Sequence, residues 1–146
     1  MKTVPANVEL LKLADALASV MPRWVILPQA SFLTSTAWDG DARSTTAATK
    51  IDMSAVFGTP ANIDAVLLRV SCRDSGSATT QAFILLADAD PGTDSIVVRA
   101  AEINDRWNDA YPVVPTDANG DIYYSCSATG VGTLDIHIVV LGYHLR

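Results

Sequence analysis

The chain has 146 residues and a formal net charge of −6. Hydrophobic residues make up 49% of it and charged residues 18%, a balance that excludes an intrinsically disordered chain and allows one domain with a real core. The few basic residues are scattered, so a phosphate backbone would be repelled and nucleic acid is not an expected partner. No apolar run approaches the roughly 18 residues of a membrane span, and we therefore expect no membrane partner.

The first segment, residues 1–22, is predicted to be an arm that forms an amphipathic helix from Val8 to Met21. Its apolar side chains recur at the spacing of one helix face, and Pro22 ends the pattern. The residues of this face that we expect at an interface are Leu10, Leu13 and Leu17. Two roles fit this helix: packing on the protein's own sheet, or reaching a neighbouring subunit. Charged residues interrupt its apolar run, so we do not expect a signal peptide.

Residues 23–146 are predicted to form one β-sandwich domain, because after Pro22 the apolar period changes to two. Strand candidates alternate with short segments rich in Gly, Asp, Asn, Pro and Ser. The candidates are residues 24–27, 31–38, 45–52, 63–73, 79–88, 95–103, 111–114, 121–127 and 133–145. No helical pattern lies between them, which predicts an all-β fold, an antiparallel sandwich or jelly roll of eight or nine strands.

The cysteines and histidines give little sign of catalysis. Cys72 and Cys126 both fall on the apolar faces of predicted strands, which favours buried free thiols, with a bridge between the two strands as the alternative. His137 and His144 lie seven residues apart on the last predicted strand, so we expect them to point to opposite faces. No nucleophile elbow, phosphate loop or paired metal-binding histidine occurs, and we predict that the protein is not an enzyme.

The sequence near residue 120 partly matches a calcium-binding loop but lacks one of its required ligands. Asp117, Asn119 and Asp121 occupy alternate positions, as oxygen ligands do in such a loop, but no glutamate follows at the twelfth place. Asn119 and Gly120 are instead typical of a tight hairpin turn before the penultimate strand. We therefore predict no bound metal and no cofactor.

The three tryptophans are predicted to divide between the core and the surface. Trp24 begins an apolar run and is expected in the core. Trp38 precedes an Asp-Gly-Asp loop and Trp107 lies in a polar stretch, so both are predicted to be exposed. Two uses fit an exposed pair: a platform that stacks on sugar rings, or an anchor at a contact between subunits.

The last predicted strand is unusual because it becomes apolar on both faces. Beyond its midpoint the second face is formed by Leu141, Tyr143 and Leu145. A strand that is apolar on both faces must be covered on both, either by the N-terminal helix or by a second subunit. We therefore predict that these three residues lie at an interface.

The C-terminal stretch "DIYYSCSATGVGTLDIHIVVLGYHL", residues 121–145, resembles the ends of small virion proteins of tailed bacteriophages. In that pattern an Ile-Tyr-Tyr strand, a small-residue turn and a long final strand close a β-sandwich. The resemblance is structural in kind and carries no functional side chain.

What the resemblance implies is a repeated structural part of a phage. The expected role is that of a capsid decoration (cement) protein, made in the host cytoplasm and located in the virion on the capsid surface. Its expected partners are copies of itself, as a homotrimer, and the major capsid protein. The alternative is a tail-associated adaptor or a receptor- or glycan-binding module with the same fold.

Overall fold

The computed structural model describes residues 12, 23–42, 47–75, 82–92, 94–101, 103, 105–127 and 134–146. Apart from residue 12, the predicted N-terminal helix lies outside this part, and so do Leu10, Leu13 and Leu17. The described strands are antiparallel and form two sheets around one core, which confirms the predicted all-β sandwich. The strands are β1 (Arg23–Ile26), β2 (Leu33–Ala42), β3 (Thr49–Ile51), β4 (Ile63–Asp74), β5 (Phe83–Ala87), β6 (Ile96–Arg99), β7 (Asn108–Ala110), β8 (Val113–Pro115), β9 (Ile122–Ser127) and β10 (Leu134–Leu145).

Three elements were not predicted from the sequence, the first being a single 3₁₀ turn at Gln29–Ser31 between β1 and β2. Strand β7 has no alternation of apolar residues, because it is a short edge strand whose side chains are mostly exposed. The helix α1 (Met53–Phe57) is a single short piece between β3 and β4. It begins where the Asp52 carboxylate accepts a hydrogen bond from the Ala55 N–H, which lowers the pKa of Asp52. Gly58 ends the helix with a φ of 78°.

The larger sheet, sheet A, is built on two long neighbouring strands, β4 and β10. Strands β1 and β2 follow one another along the free edge of β10, pairing with its second and first halves. Strands β8 and β7 divide the free edge of β4 in the same way. Sheet A is thus four strands wide at each end. The smaller sheet, sheet B, has the order β3-β9-β5-β6.

The core lies between the inner faces of the two sheets, with α1 closing one side. Inward side chains of β4 and β10 face those of β5 and β9, and each buried Leu or Ile contributes about 2 kcal/mol. The largest fully buried side chains include Met53, Ile63, Leu68, Ile84, Leu86, Ile122, Leu134, Ile136 and Ile138. One face of sheet A packs on this core, and the opposite face is the outer face of the sandwich.

A β-bulge at Leu141 explains why β10 is apolar on both sides. Val140 pairs with Leu68 and Gly142 pairs with Leu67, so Leu141 is an extra residue without a partner on β4. The bulge moves the inward positions from even to odd numbers, and Tyr143 therefore packs on the core, as does Leu145. The side chains of Tyr143 and Leu145 are therefore covered by the protein's own core. This explains within one chain why the end of β10 carries apolar residues at both odd and even positions.

The same bulge overturns the predicted placement of the histidines. His137 precedes the bulge and is outward at an odd position, whereas His144 follows it and is outward at an even one. Both rings therefore lie on the outer face of sheet A. The prediction of opposite faces was wrong because a strict period of two does not allow for an inserted residue.

Two of the three tryptophans differ from their predicted placement. Trp38 is only 4% exposed and packs edge-on against Tyr124, with ring centroids 4.8 Å apart, because β2 continues through the expected loop and Trp38 points inward. Trp24 is 44% exposed, because it lies opposite the outward His144 on the edge strand β1. Trp107 is exposed, as predicted.

The predicted tight turn at Asn119 and Gly120 is confirmed, with Gly120 at a φ of 85°. The Asp117 carboxylate accepts hydrogen bonds from the N–H groups of Asn119 and Asp121. Partial burial raises the pKa of Asp117, but its hydrogen bonds to Asp121 and Asn119 and the charge of Lys50 together lower it by more, so the net pKa is lowered. The turn joins β8 of sheet A to β9 of sheet B, so it forms a corner between the sheets rather than a hairpin.

The two cysteines are buried and free, which confirms the preferred interpretation of the sequence. Cys72 belongs to β4 and Cys126 to β9, on opposite sheets. Burial raises the pKa of the Cys72 thiol to about 12. At neutral pH this thiol stays protonated, which is the state of a structural cysteine rather than a nucleophile.

Candidate interaction surface

The outer face of sheet A has a charged end and an apolar end. At the charged end, Arg73 Nη2 lies 2.5 Å from Asp135 Oδ2 and Arg73 Nη1 lies 3.0 Å from Asp105 Oδ1. The hydrogen bond to Asp135 raises the pKa of Arg73. The same guanidinium stacks 4.7 Å from the ring centre of Trp107 and covers one side of that ring. Each charged group of this cluster therefore has a partner of opposite charge.

The apolar end begins with a row of residues that crosses sheet A from edge to edge. Ile26 of β1 lies opposite Gly142 of β10. Leu67 of β4 lies opposite Gly142 on one side and Val113 of β8 on the other. Directly opposed residues carry their side chains on the same face, and Ile26 (62% exposed) and Val113 (48%) identify it as the outer one.

A second row lies two residues farther along each strand, again on the outer face. Trp24 lies opposite His144, His144 opposite Ala65, and Ala65 opposite Pro115. Together the rows form one surface, which we call the apolar face. It consists of Trp24, Ile26, Ala65, Leu67, Val113, Pro115, Gly142 and His144. Three strand spacings separate its borders, a width of about 14 Å.

Gly142 makes the apolar face possible. A Cβ atom at this position would lie 2.6 Å from the carbonyl oxygen of Val25 and 3.2 Å from the Cα of Ile26. Only glycine therefore lets β1 approach β10 so closely. The Ile26 side chain covers the space that a side chain at this position would take, since its Cδ1 lies 3.2 Å from where that Cβ would stand, and Gly142 is itself buried.

The apolar face carries no unpaired charge among its described residues. His144 is its single ionisable group, and its Nδ1 lies 2.6 Å from Oδ1 of Asp64. A carboxylate only accepts hydrogen bonds, so Nδ1 is the donor. The Trp24 ring packs against the imidazole at a centroid distance of 5.2 Å, with the two ring planes tilted by 57°. The surface is suited to binding another apolar surface.

Of the predicted interface residues, the five that the structure describes do not share one surface; the other three, in the predicted N-terminal helix, lie outside the described residues. Trp107 lies at the charged end of the outer face and Trp38 in the core. Leu141 is the bulged residue, and Tyr143 and Leu145 pack on the protein's own core.

The residues that do form an exposed apolar surface were not predicted as interface residues. In the run "WVIL", the outward and inward positions are both apolar, so alternation does not distinguish the face that Trp24 and Ile26 occupy. The sequence did contain one signal of this surface, because Gly142 interrupts an otherwise apolar strand. A glycine inside a strand often marks a place where another backbone approaches closely.

In the part of the chain that the structure describes, no group of three His, Cys, Asp or Glu side chains is placed to hold a metal ion. The described residues also include no helix long and apolar enough to span a membrane. A comparison with known proteins gives no family: no protein-family model matches the chain, and no curated protein matches it significantly. The resemblance of residues 121–145 to phage virion proteins therefore stays a prediction.

Proposed function

We propose that the protein is a virion structural protein of a tailed bacteriophage, of the capsid decoration (cement) type. It binds the outside of the phage head and stabilises the contacts between major capsid subunits. The observation that carries this proposal is the apolar face, which crosses sheet A and whose border side chains Trp24, Ile26 and Val113 are exposed. Patches of this kind on small proteins are typical of contacts with other proteins. The resemblance of residues 121–145 supplies the virion setting.

Several of the charged groups described by the structure pair with one another, which favours a protein that works by binding other proteins. Besides Arg73 and its partners at the charged end, Lys50 Nζ lies 2.8 Å from Asp121 Oδ2. The other oxygen of Asp121 accepts a hydrogen bond from the Met53 N–H at 3.1 Å. These groups hold α1 and β3 against the turn before β9, so their hydrogen bonds and charges stabilise the fold.

A second candidate, a tail-associated adaptor or glycan-binding module, is favoured by the exposed rings of Trp24 and Trp107. Aromatic faces stack on sugars, but each of these rings already has a neighbour. Arg73 stacks on Trp107 and His144 lies against Trp24. The decoration role needs no free ring face, and the apolar face serves it directly.

The copy number of the protein in purified virions tests the proposal. Quantitative mass spectrometry against the major capsid protein is expected to give a ratio near unity, because a decoration protein repeats over the whole shell. A ratio lower by about two orders of magnitude would refute decoration and favour the tail. The control is an abundant host protein measured in the same preparation. If the protein were no more abundant than this contaminant, a virion role would be refuted altogether.

A further inference from the structure

We propose that Arg69, at the centre of the outer face of sheet A, binds a side-chain carboxylate of a partner protein. Arg69 belongs to β4 and lies two residues beyond Leu67, between the apolar face and the charged end. This inference deepens the proposed function, on which the identity of the partner rests, by naming the group that the surface recognises. The binding of a carboxylate is itself a property of the isolated chain.

The guanidinium of Arg69 has no partner within the part of the chain that the structure describes. Its Nε atom is fully buried and makes no hydrogen bond, whereas the two terminal nitrogens are not fully buried. A buried donor without a partner costs free energy, and the cost is larger when the group is charged. A carboxylate bound at the terminal nitrogens would compensate the charge that is delocalised over all three nitrogens. The orphaned Nε is therefore explained by a partner that the chain itself does not supply.

A second arginine on the same strand and face shows what is missing at Arg69. Arg73 lies opposite Asp135 of β10 and forms an ion pair with it. Arg69 lies opposite Val139, which is only 2% exposed. The fold thus places an apolar residue where the neighbouring arginine has its carboxylate. Beside buried apolar surface an ion pair is less screened than in open water, so a carboxylate from outside gains more at Arg69 than at a fully exposed arginine.

Two neighbouring side chains make the surroundings of Arg69 suitable for a contact with a protein. Ser71 lies on the same face two residues along β4, about 7 Å away, and supplies a hydroxyl donor. Tyr111 stands opposite Arg69, because the register of β4 with β7 continues into its register with β8, and it is 61% exposed. Arginine and tyrosine are enriched among the residues that contribute most to binding at protein interfaces.

The net charge of −6 determines which kind of partner can carry the carboxylate. An acidic protein is repelled at a distance, and so is a phosphate group with two negative charges. One carboxylate on an otherwise neutral or basic surface avoids this repulsion, and on contact it accepts charge-assisted hydrogen bonds from the guanidinium. We therefore expect the partner to present a single Asp or Glu side chain among apolar or basic residues.

Nuclear magnetic resonance of the purified chain tests the binding of a carboxylate, with acetate as the probe at constant ionic strength. The Nε–H signal of Arg69 is expected to shift and to saturate, with half of the shift reached below about 100 mM acetate. The internal control is the Nε–H of Arg73, which already donates to Asp135 at 3.1 Å and is expected not to shift. Acetamide, which has the same shape without the charge, is expected to shift neither signal. An Arg69 signal that does not saturate, or an equal shift at Arg73, would overturn the proposal.

A pair of substitutions separates a binding role of Arg69 from a structural one. Arg69→Met keeps most of the side-chain volume and removes the orphaned nitrogen, so the urea midpoint of unfolding is expected to stay unchanged or to rise. Arg73→Met breaks the ion pairs with Asp135 and Asp105 and is expected to lower the midpoint. If Arg69→Met lowered the midpoint as much as Arg73→Met does, Arg69 would have a partner within its own chain and the proposal would be wrong.

Incorporation into virions tests whether the partner supplies the carboxylate. Arg69→Glu is expected to reduce the copy number per virion by about tenfold or more, because two carboxylates then meet at the contact. The matched control is Arg106→Glu, which reverses the charge of an exposed arginine near the charged end and is expected to assemble as the wild type does. Equal incorporation of the two variants would overturn the proposal. If the wild type were absent from virions, the proposed function would fail, and the acetate titration would then decide by itself whether Arg69 binds a carboxylate.

Discussion

At the scale of single residues, the state of Cys72 follows from its burial in the core. A pKa of about 12 leaves about a thousandfold less thiolate at neutral pH than an ordinary thiol has. We expect the native protein to react with iodoacetamide at pH 8 at least about a hundredfold more slowly at Cys72 than the protein unfolded in guanidinium. Mass spectrometry of the labelled peptide measures both rates.

The control for this experiment is Ala118→Cys, which puts a thiol at an exposed turn position. That thiol is expected to react at the same rate in the native and the unfolded protein. If Cys72 in the native protein were labelled as fast as the thiol of Ala118→Cys, then β4 would be opening readily and the sealed core between the sheets would be wrong.

At the scale of an element, the bulge in β10 leads to an unusual expectation about deletions. Leu141 is the unpaired extra residue, so a chain that lacks it keeps both the pairing with β4 and the inward positions. The deletion removes the hydrogen bond that Leu141 O accepts from the Leu27 N–H, a loss of about 1 kcal/mol. We expect the variant to fold, with a slightly lower free energy of unfolding in urea.

The matched deletion is that of His137, an outward residue four positions earlier on the same strand. Its removal shifts the alternation by one, which turns Ile138 and Val140 out of the core and Val139 into it, a net loss of one buried side chain or about 2 kcal/mol, in addition to the hydrogen bonds of the interrupted ladder. If both deletions destabilised the protein equally, the assignment of Leu141 as the bulge would be contradicted.

The bulge also shows where sequence-based prediction reached its limit. Alternation located β4, β9 and β10 and most of the core, because strands with one buried face repeat with a period of two. One inserted residue reverses that alternation, and the period of two does not register it, so the faces of Tyr143 and His144 were predicted wrongly. The local signal for the insertion is Gly142, which directly follows it. Trp24 was misplaced for a different reason: residues 24–26 of the edge strand β1 are apolar on both faces, so their exposure depends on which neighbours the fold supplies. The apolar face could therefore be recognised only after the register was known.

At the scale of the whole molecule, the two sheets share one core, and neither is expected to be stable alone. Sheet B presents apolar side chains such as Ile84 and Leu86 that pack into the core shared with sheet A. Sheet A depends in turn on β10, which joins β1 and β2 to β4. The sandwich should therefore unfold as one cooperative unit.

Truncation after Thr133 tests this dependence, because it removes β10 alone. The four fully buried side chains lost from the core are Leu134, Ile136, Ile138 and Val140. At about 2 kcal/mol each they amount to about 8 kcal/mol, comparable with the entire stability of a typical domain. We expect the truncated chain to lack a cooperative thermal transition by circular dichroism, and added peptide 134–146 to restore it at least in part. A soluble fragment that melts cooperatively without the peptide would contradict the central role of β10.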